Sequence, residues 1–524
     1  MRAITLTLWL VACGSACSGY RPARFGVRAP VAEVHDDAPI PVPRWRWVPE
    51  PVYLSEVYLH RPLRETMDLA PYPDAGDINS MDEVAHSTWF TPRTPDVGSM
   101  ARGPETSGPP LPPFTVLPDP PMALAAGAFC ILDSRGQRYE IAIDPQDRPE
   151  MRTAAAAIAS RLFWALGYNT PPVSIVHARA EDFWRSEGVT ADVPAMLDAG
   201  AKPSLRFYRL AALAWPPSVL LGYAPESGTR GDDRNDVVPH ENRRTLRALK
   251  VFASWLALDG LGPSKTFDRY VGPPGEGHVV HYVVGLDAAL GAANVVRATD
   301  PAPAEGGGSP FIRLLTLGLF PNPRPPPTQV EIKSIGEFPE DVDPAAFAPP
   351  LPYEPADRLL GTDGYWAAKR LFSLSSTHLA LAIAAGNFSD PRAQHAMQVA
   401  LEARQKKVAR YWFGRVTPIE LLSLARTKLA LRDEAVQNGL APPNVTDYRV
   451  DFLTSEGDRA EEGLVLHPQG SVLEVTLPER AVAVDRDYLI VRVTARRSGR
   501  ALPRAFELHL KLGAEQPTVL GVRH

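Results

Sequence analysis

Proline sets the boundaries of what this chain can build. The sequence carries 55 prolines in 524 residues, about twice the usual share of roughly 5%. They are clustered. Proline fixes φ and lacks a backbone donor, so a dense cluster cannot sit inside a helix or a central strand. The segments "ARGPETSGPPLPPF" (101–114), "PAPAEGGGSP" (301–310), "PNPRPPP" (321–327) and "APPLPYEP" (348–355) therefore read as loops or linkers. Regular structure has to fall between them. Hydrophobic residues make up 45% and charged residues 22% of the chain, which supports a globular core. The length suits two or three domains. A net charge of −5 gives no sign of the basic surface that a nucleic-acid binder would carry.

The first 20 residues, "MRAITLTLWLVACGSACSGY", place one arginine before a short apolar run and then small residues. The run is too short to span a bilayer, which takes about 20 residues, and it has the form of a secretory signal. Its "LVAC" resembles a bacterial lipobox. That resemblance implies a lipoprotein signal segment over 1–17, with lipid on Cys13; lipid on Cys17 and a plain cleavage near Ala16 are the alternatives. Gly14 follows Cys13 where an aspartate would favour inner-membrane retention, so the expected location is the cell envelope, at the outer membrane. Only Cys130 lies outside this segment, which excludes a disulfide framework. Cys130 reads as a small buried residue.

Residues 18–114 read as an extended tether and N-terminal wrap, rich in proline, arginine and tryptophan and without clear periodicity. From about 115 to 440 the pattern is mixed. "FCILDSRGQRYEIAID" (129–144) has two apolar runs around a turn, a hairpin signal. "RPEMRTAAAAIASRLFWALGYNTPP" (148–172) has helical spacing with Gly167 near its stop. "SLRFYRLAAL" reads as a strand and "PHENRRTLRALKVFASWLAL" (239–258) as a long helix. Two strands follow around "GPPGEG", and a helical block spans about 361–440. The last stretch, 441–524, alternates apolar and polar residues and predicts a small antiparallel β domain.

Motif chemistry is sparse. There is no H-E-x-x-H, C-x-x-C or G-x-S-x-G, and "EGGGSP" lacks the lysine of a P-loop. His278 and His281, three apart on a strand, fall on opposite faces. The basic run at 404–410 reads as a solvated helix face. "HYVVGLDAALG" (281–291) is more suggestive. Asp287, at the end of a strand among small residues, could hold a metal beside a phosphate or be an ordinary turn residue.

Five segments carry a resemblance: "DINSMDEVAHSTWFTPR" (77–93), 138–172, 233–259, "HYVVGLDAALG" and 488–524. In this order they resemble a group of uncharacterised bacterial secreted proteins and lipoproteins that are distantly similar to protein kinases. The resemblance spans about 77–524. It implies an α+β fold with a divergent protein-kinase-like two-lobe core and a small C-terminal antiparallel β domain. It also implies where the kinase groups would stand. Ala142 takes the place of the phosphate lysine and Ala156 that of its glutamate partner. The loop "ALDGLGPSKTFD" (257–268) keeps Asp259 and Asp268 but has Gly260 and Lys265 where an acid and a metal-binding asparagine belong. Gly285 and Leu286 occupy the Asp-Phe places, and Asp287 falls two residues late. Trp89, Gly167, Tyr168, Pro239, His240, Trp255, His281, Tyr282 and Gly291 sit in the matching blocks.

Phosphoryl transfer needs the lysine, the metal carboxylates and a group that orients the nucleophile. With these replaced, the expectation is a pseudoenzyme acting in binding or scaffolding, with no catalytic residue, no metal and no cofactor. Its partners would be the membrane, through the lipid anchor, and a protein or glycan. One alternative is an active envelope phosphotransferase or nucleotide-binding enzyme using Asp259 as base and Asp287 as metal ligand. Another is a glycan- or peptide-binding module in the C-terminal β domain.

Overall fold

The computed structural model describes residues 22, 24–48, 50–67, 71–104, 108–118, 122–124, 127–189, 193–200, 207–258, 260–293, 331–349, 352–479, 487–513 and 516–524. The architecture is α+β. A first sheet contains β1 (Phe114–Val116), β2 (Phe129–Leu132), β3 (Arg138–Ile143), β4 (Val173–Ala178), β5 (Phe183–Arg185) and β6 (Tyr208–Ala214), in the order β4-β6-β3-β2-β1-β5. All its pairings are antiparallel except β1 with β5. The β2–β3 hairpin expected from the sequence is present. Its turn is closed by Asp133, whose carboxylate accepts from the backbone N–H groups of Arg135 (2.9 Å) and Gln137 (3.0 Å).

The helix Met151–Leu166 packs against this sheet with nearly every side chain buried. Its run of alanines lets the backbone approach the strands closely. Asp144 caps its start, accepting from the Thr153 N–H (2.8 Å) and hydroxyl (2.7 Å). Gly167 stops it at φ +116°, where a Cβ would lie 2.2 Å from the Phe90 ring. Only glycine fits both constraints.

A second sheet joins β7 (Val219–Tyr223), β8 (Thr266–Val271) and β9 (His278–Val283) in that order. The helix read from residue 239 begins at Arg244 instead. The Asp77 carboxylate, from the N-terminal wrap, accepts from the N–H groups of Arg244 (2.6 Å) and Thr245 (3.2 Å) and so fixes the start there. After a turn at Ala248 the helix continues over Leu249–Leu256. Helices Gly361–Phe372, Ser376–Ala384 and Pro391–Phe413 complete the main core with the 151–166 and 249–256 helices.

Two expectations need correction. The span read as an extended tether contains a continuous helical run, Glu50–Met67. And the helical block ends at Phe413: strands β10 (Ile419–Ala425) and β11 (Lys428–Asp433) begin inside the span read as helical. They join β14 (Val472–Thr476) in a three-stranded sheet. The larger C-terminal sheet runs β13-β12-β15-β17-β18, from β12 (Thr446–Leu453), β13 (Arg459–Leu466), β15 (Tyr488–Arg497), β17 (Phe506–Lys511) and β18 (Thr518–Arg523), with the short β16 (Arg500–Ala501) on β15. The two sheets share one core, in which Leu429, Leu431 and Val475 meet Val450, Val491 and Leu508. They form an antiparallel sandwich.

Two buried polar clusters tie these parts together. In the first, the Trp89 ring stacks on His281 (3.7 Å between centroids, 10° between planes), and His240 meets it edge-on at 4.8 Å. The Arg243 guanidinium lies 5.2 Å from the Trp89 centroid. Asp236 pairs with His240 (2.7 Å) and Arg243 (2.8 Å), while Asp268 pairs with His281 (2.7 Å) and Arg230 (2.8 Å). Burial alone would raise the Asp268 carboxyl; His281 and Arg230 overcome it and hold it below the usual range. In the second cluster, Arg244 bonds Asp82 (2.8 Å) and Asp363 (3.0 Å), and His524, at the end of β18, pairs with Asp82 (2.7 Å). The wrap is thereby clamped between the core and the sandwich.

Trp89→Ala removes the ring that both histidines pack on. The expected loss is about 3–5 kcal/mol of unfolding free energy, measured by urea denaturation; a loss under about 1 kcal/mol, within surface-substitution range, would show that the network does not depend on the ring.

Candidate functional site

Ala142, Ala156, Lys265 and Gly285, the described positions that the resemblance singles out, lie about one small cleft between the first sheet, the 151–166 helix and the end of β9. Their side chains leave little room for chemistry. Ala142 on β3 and Ala156 on the helix are both buried and lie in one apolar cluster with Ala211 of β6. These are the two places where the resemblance implies a lysine and its glutamate. The strand and the helix bring the two positions together, and what meets there is apolar. The adjoining cavity, lined by Ala156, Val173, Leu213 and residues 283–287, measures about 10 Å³, no more than one water requires.

The chain itself fills the space. The connection from β1 to β2 folds inward, and Leu124 joins the alanine cluster. The Glu140 carboxylate on β3 accepts from the N–H groups of Met122 (3.1 Å) and Ala123 (2.9 Å) and from Trp215 Nε1 (2.9 Å). The Ala123 carbonyl in turn accepts from the Gly285 N–H at 2.8 Å. Residues 122–124 therefore bridge β3 to the segment that follows β9. Burial pushes the Glu140 carboxyl up, and the three donors partly offset it. Sequence reading did not anticipate this plug. The available signal was the apolar run "MALAAGAF" (122–129), unlike a polar glycine-rich phosphate loop.

The opposite wall carries positive charge where metal ligands would stand. Lys265 Nζ donates to the Gly285 carbonyl at 3.0 Å. Gly285 has φ +68°, and a Cβ there would lie 2.3 Å from that ammonium. So the two positions expected to hold metal, 265 and 285, hold an ammonium and no side chain. A divalent cation would be repelled from this point.

Asp287 lies in a short 3₁₀ turn, Leu286–Ala288, and is 1% exposed. The reading of it as an ordinary turn residue is half right. Its carboxylate is buried against Arg152 of the 151–166 helix, whose Nε donates to Oδ2 at 2.7 Å. Asp268 is fully buried in the Trp89 network and does not serve the cleft. His281 belongs to the same network, and His278 on the other face of β9 is half-buried. Cys130 is buried as expected. Asp259, Cys13 and Cys17 lie outside the described residues. Among the described residues no group of three or more His, Cys, Asp or Glu could hold a metal ion.

Arg152→Ala strips a buried carboxylate of its ion-pair partner, which costs about 3–5 kcal/mol. Arg152→Met combined with Asp287→Leu removes both charges and is expected to recover most of that loss in urea unfolding. If the double variant is as unstable as Arg152→Ala, the pair has a role beyond mutual neutralisation.

Compared with known proteins, the chain matches no family model, and no curated protein matches it significantly.

Proposed function

We propose that this chain is a lipid-anchored envelope protein whose kinase-like core has lost phosphoryl transfer and serves as a scaffold for binding. The order of elements supports the kinase-like reading: a hairpin, a helix packed on its last strand, further strands, a helix, a loop, and a strand pair that ends at Gly285–Asp287. The observation that carries the loss of activity is the occupied cleft. Residues 122–124, Ala142 and Ala156 fill the space where a nucleotide's phosphates would need a cation, and Lys265 stands where a metal would need an anion. The leader and its lipobox-like cysteines support the envelope location.

A binding role has a physical place on the C-terminal sandwich. A groove of about 530 Å³ runs between the sandwich and the wrap, lined by Phe25, Asp74, Arg492, Arg504 and Arg523 among others. Its size falls in the range of ligand sites. Arg504 and Arg523 face Asp74 at 3.8 and 3.6 Å, beyond hydrogen-bond reach of about 3.2 Å. This favours an acidic ligand, such as a uronate-bearing glycan, as the second reading.

Millimolar Mg-ATP should leave the thermal unfolding midpoint unchanged. Occupancy at 100 times the dissociation constant would add about 2.7 kcal/mol, so a clear upward shift that Lys265→Ala or Asp287→Asn alters would restore the phosphotransferase reading. For the groove, calorimetric titration with an oligogalacturonate should show saturable binding that Arg504→Ala with Arg523→Ala weakens. Equal binding of a neutral oligosaccharide, or none of either, would remove the groove from consideration.

A further inference from the structure

We propose that the helix Glu50–Met67, together with the neighbouring Trp45–Trp47 pair, is a lipid-facing surface that lies in the headgroup–acyl boundary of the membrane. This rests on the envelope-lipoprotein reading for which membrane is met, but not on lipidation for the binding itself.

The helix has two apolar sides where a surface helix has one. Its inner face packs on the body through Tyr53, Val57 and Arg61, all buried and four residues apart. The Tyr53 hydroxyl meets Glu226 at 3.1 Å, and Arg61 pairs with Asp357 at 2.7 Å. Its outer face carries Val52, Leu59, Leu63 and Met67, exposed by 55, 57, 55 and 80%. The run includes a π-helical turn at Glu56–His60, and these four side chains are exposed on the turns before, within and after it while Tyr53, Val57 and Arg61 are buried. Tyr58 is exposed as well. Such residues occur singly on ordinary surfaces, but here they are concentrated. Among the described residues, 12 of the 23 large exposed apolar side chains fall between Val27 and Tyr72.

The residues just before the helix name the occupant. Trp45 and Trp47 are about half exposed and stack on each other with centroids 6.1 Å apart and planes 6° apart. Exposed Arg44 precedes them. Tryptophan partitions to the water–lipid boundary and arginine to anionic headgroups. No described helix is long and apolar enough to cross a membrane; an interfacial helix needs only one apolar face of moderate length.

Position agrees with chemistry. The tether is fixed to the body where Arg24 bonds Ser455 (2.9 Å) and Phe25 lines the sandwich groove. Cys17 lies seven residues before Arg24, which spans at most about 25 Å of chain. Asp74 lines the same groove, and Met67 lies seven residues before it, the same reach of about 25 Å. Cys13, eleven residues before Arg24, has a reach of about 40 Å, so an anchor at either cysteine allows the bilayer to meet the helix.

The test uses the full chain with Cys13→Ser and Cys17→Ser, so that no lipid is attached, floated with vesicles of phosphatidylethanolamine and phosphatidylglycerol. The chain should float with them. Adding Leu59→Ser, Leu63→Ser and Met67→Ser in the same background should cut the bound fraction by about tenfold, with an unchanged unfolding midpoint. Both proteins are also compared without residues 1–17, so that the apolar run of the leader cannot itself hold them on the vesicles and the difference reads the helix. Equal flotation of the two would overturn the proposal. So would a solution dimer that only the serine variant abolishes, with no vesicle binding, which would assign the outer face to a second copy. Mass spectrometry of the native N-terminus tests the anchor separately: unmodified cysteines would sink that reading and leave the flotation result standing.

Discussion

Trp89 is the point on which three parts of the molecule bear. It comes from the N-terminal wrap, its two histidines come from the loop before the 249–256 helix and from β9, and the paired aspartates extend the contact to β8 and to Arg230. A cluster of buried ions contributes little net stability, because desolvation offsets most of the attraction between them. Its consequence is geometric. Each ion has directional demands that an apolar contact lacks, so the second sheet can sit against the wrap in few ways. Asp268 and His281 are direct cross-strand neighbours on β8 and β9. The hairpin that ends at Gly285 is thus held in register by the same groups that hold the wrap. The position of the cleft's far wall follows from this network.

Given that fixed wall, the side chains at the cleft form a consistent set. A buried lysine at 142 without a carboxylate at 156 would be an unpaired buried charge, which costs far more than two alanines. Once both are alanine, the cleft is apolar and the β1–β2 connection gains by covering it with Leu124. Glu140 then secures the cover through two backbone donors. On the other side, glycine at 285 leaves its carbonyl facing Lys265. Asp287 is neutralised by Arg152 across 135 residues of sequence. Among the described residues, Glu140, Lys265 and Asp287 each have a partner within the protein at the cleft.

What the sequence made legible was local. The β2–β3 turn is written in Asp133 and Gly136, and the 151–166 helix in its alanine run and Gly167. The sandwich strands alternate visibly. The hairpin at 419–433 was obscured because Leu421, Leu424, Leu429 and Leu431 also fit helical spacing. The helix at 50–67 was obscured for the opposite reason: apolar residues on both faces erase the contrast that periodicity depends on. At the cleft, the resemblance singled out positions 142, 156, 265 and 285, but not what packs around them. The plug by residues 122–124 and the Arg152–Asp287 pair join segments distant in sequence, and nothing local to either announces the contact.

The wrap then acquires a meaning that neither its composition nor the core supplies. It touches every layer: Phe25 and Asp74 at the sandwich groove, Asp77 at the start of the helix at Arg244, Asp82 with His524 at the end of β18, and Trp89 in the network. A tether that only joined a lipid to a domain would need none of these contacts and would be expected to stay extended and solvated. One that buries its polar residues against the body while turning valine, leucine and tryptophan outward fixes the orientation of that body toward whatever covers those side chains. With the cleft so filled, what these contacts determine is the orientation of the sandwich groove relative to the wrap.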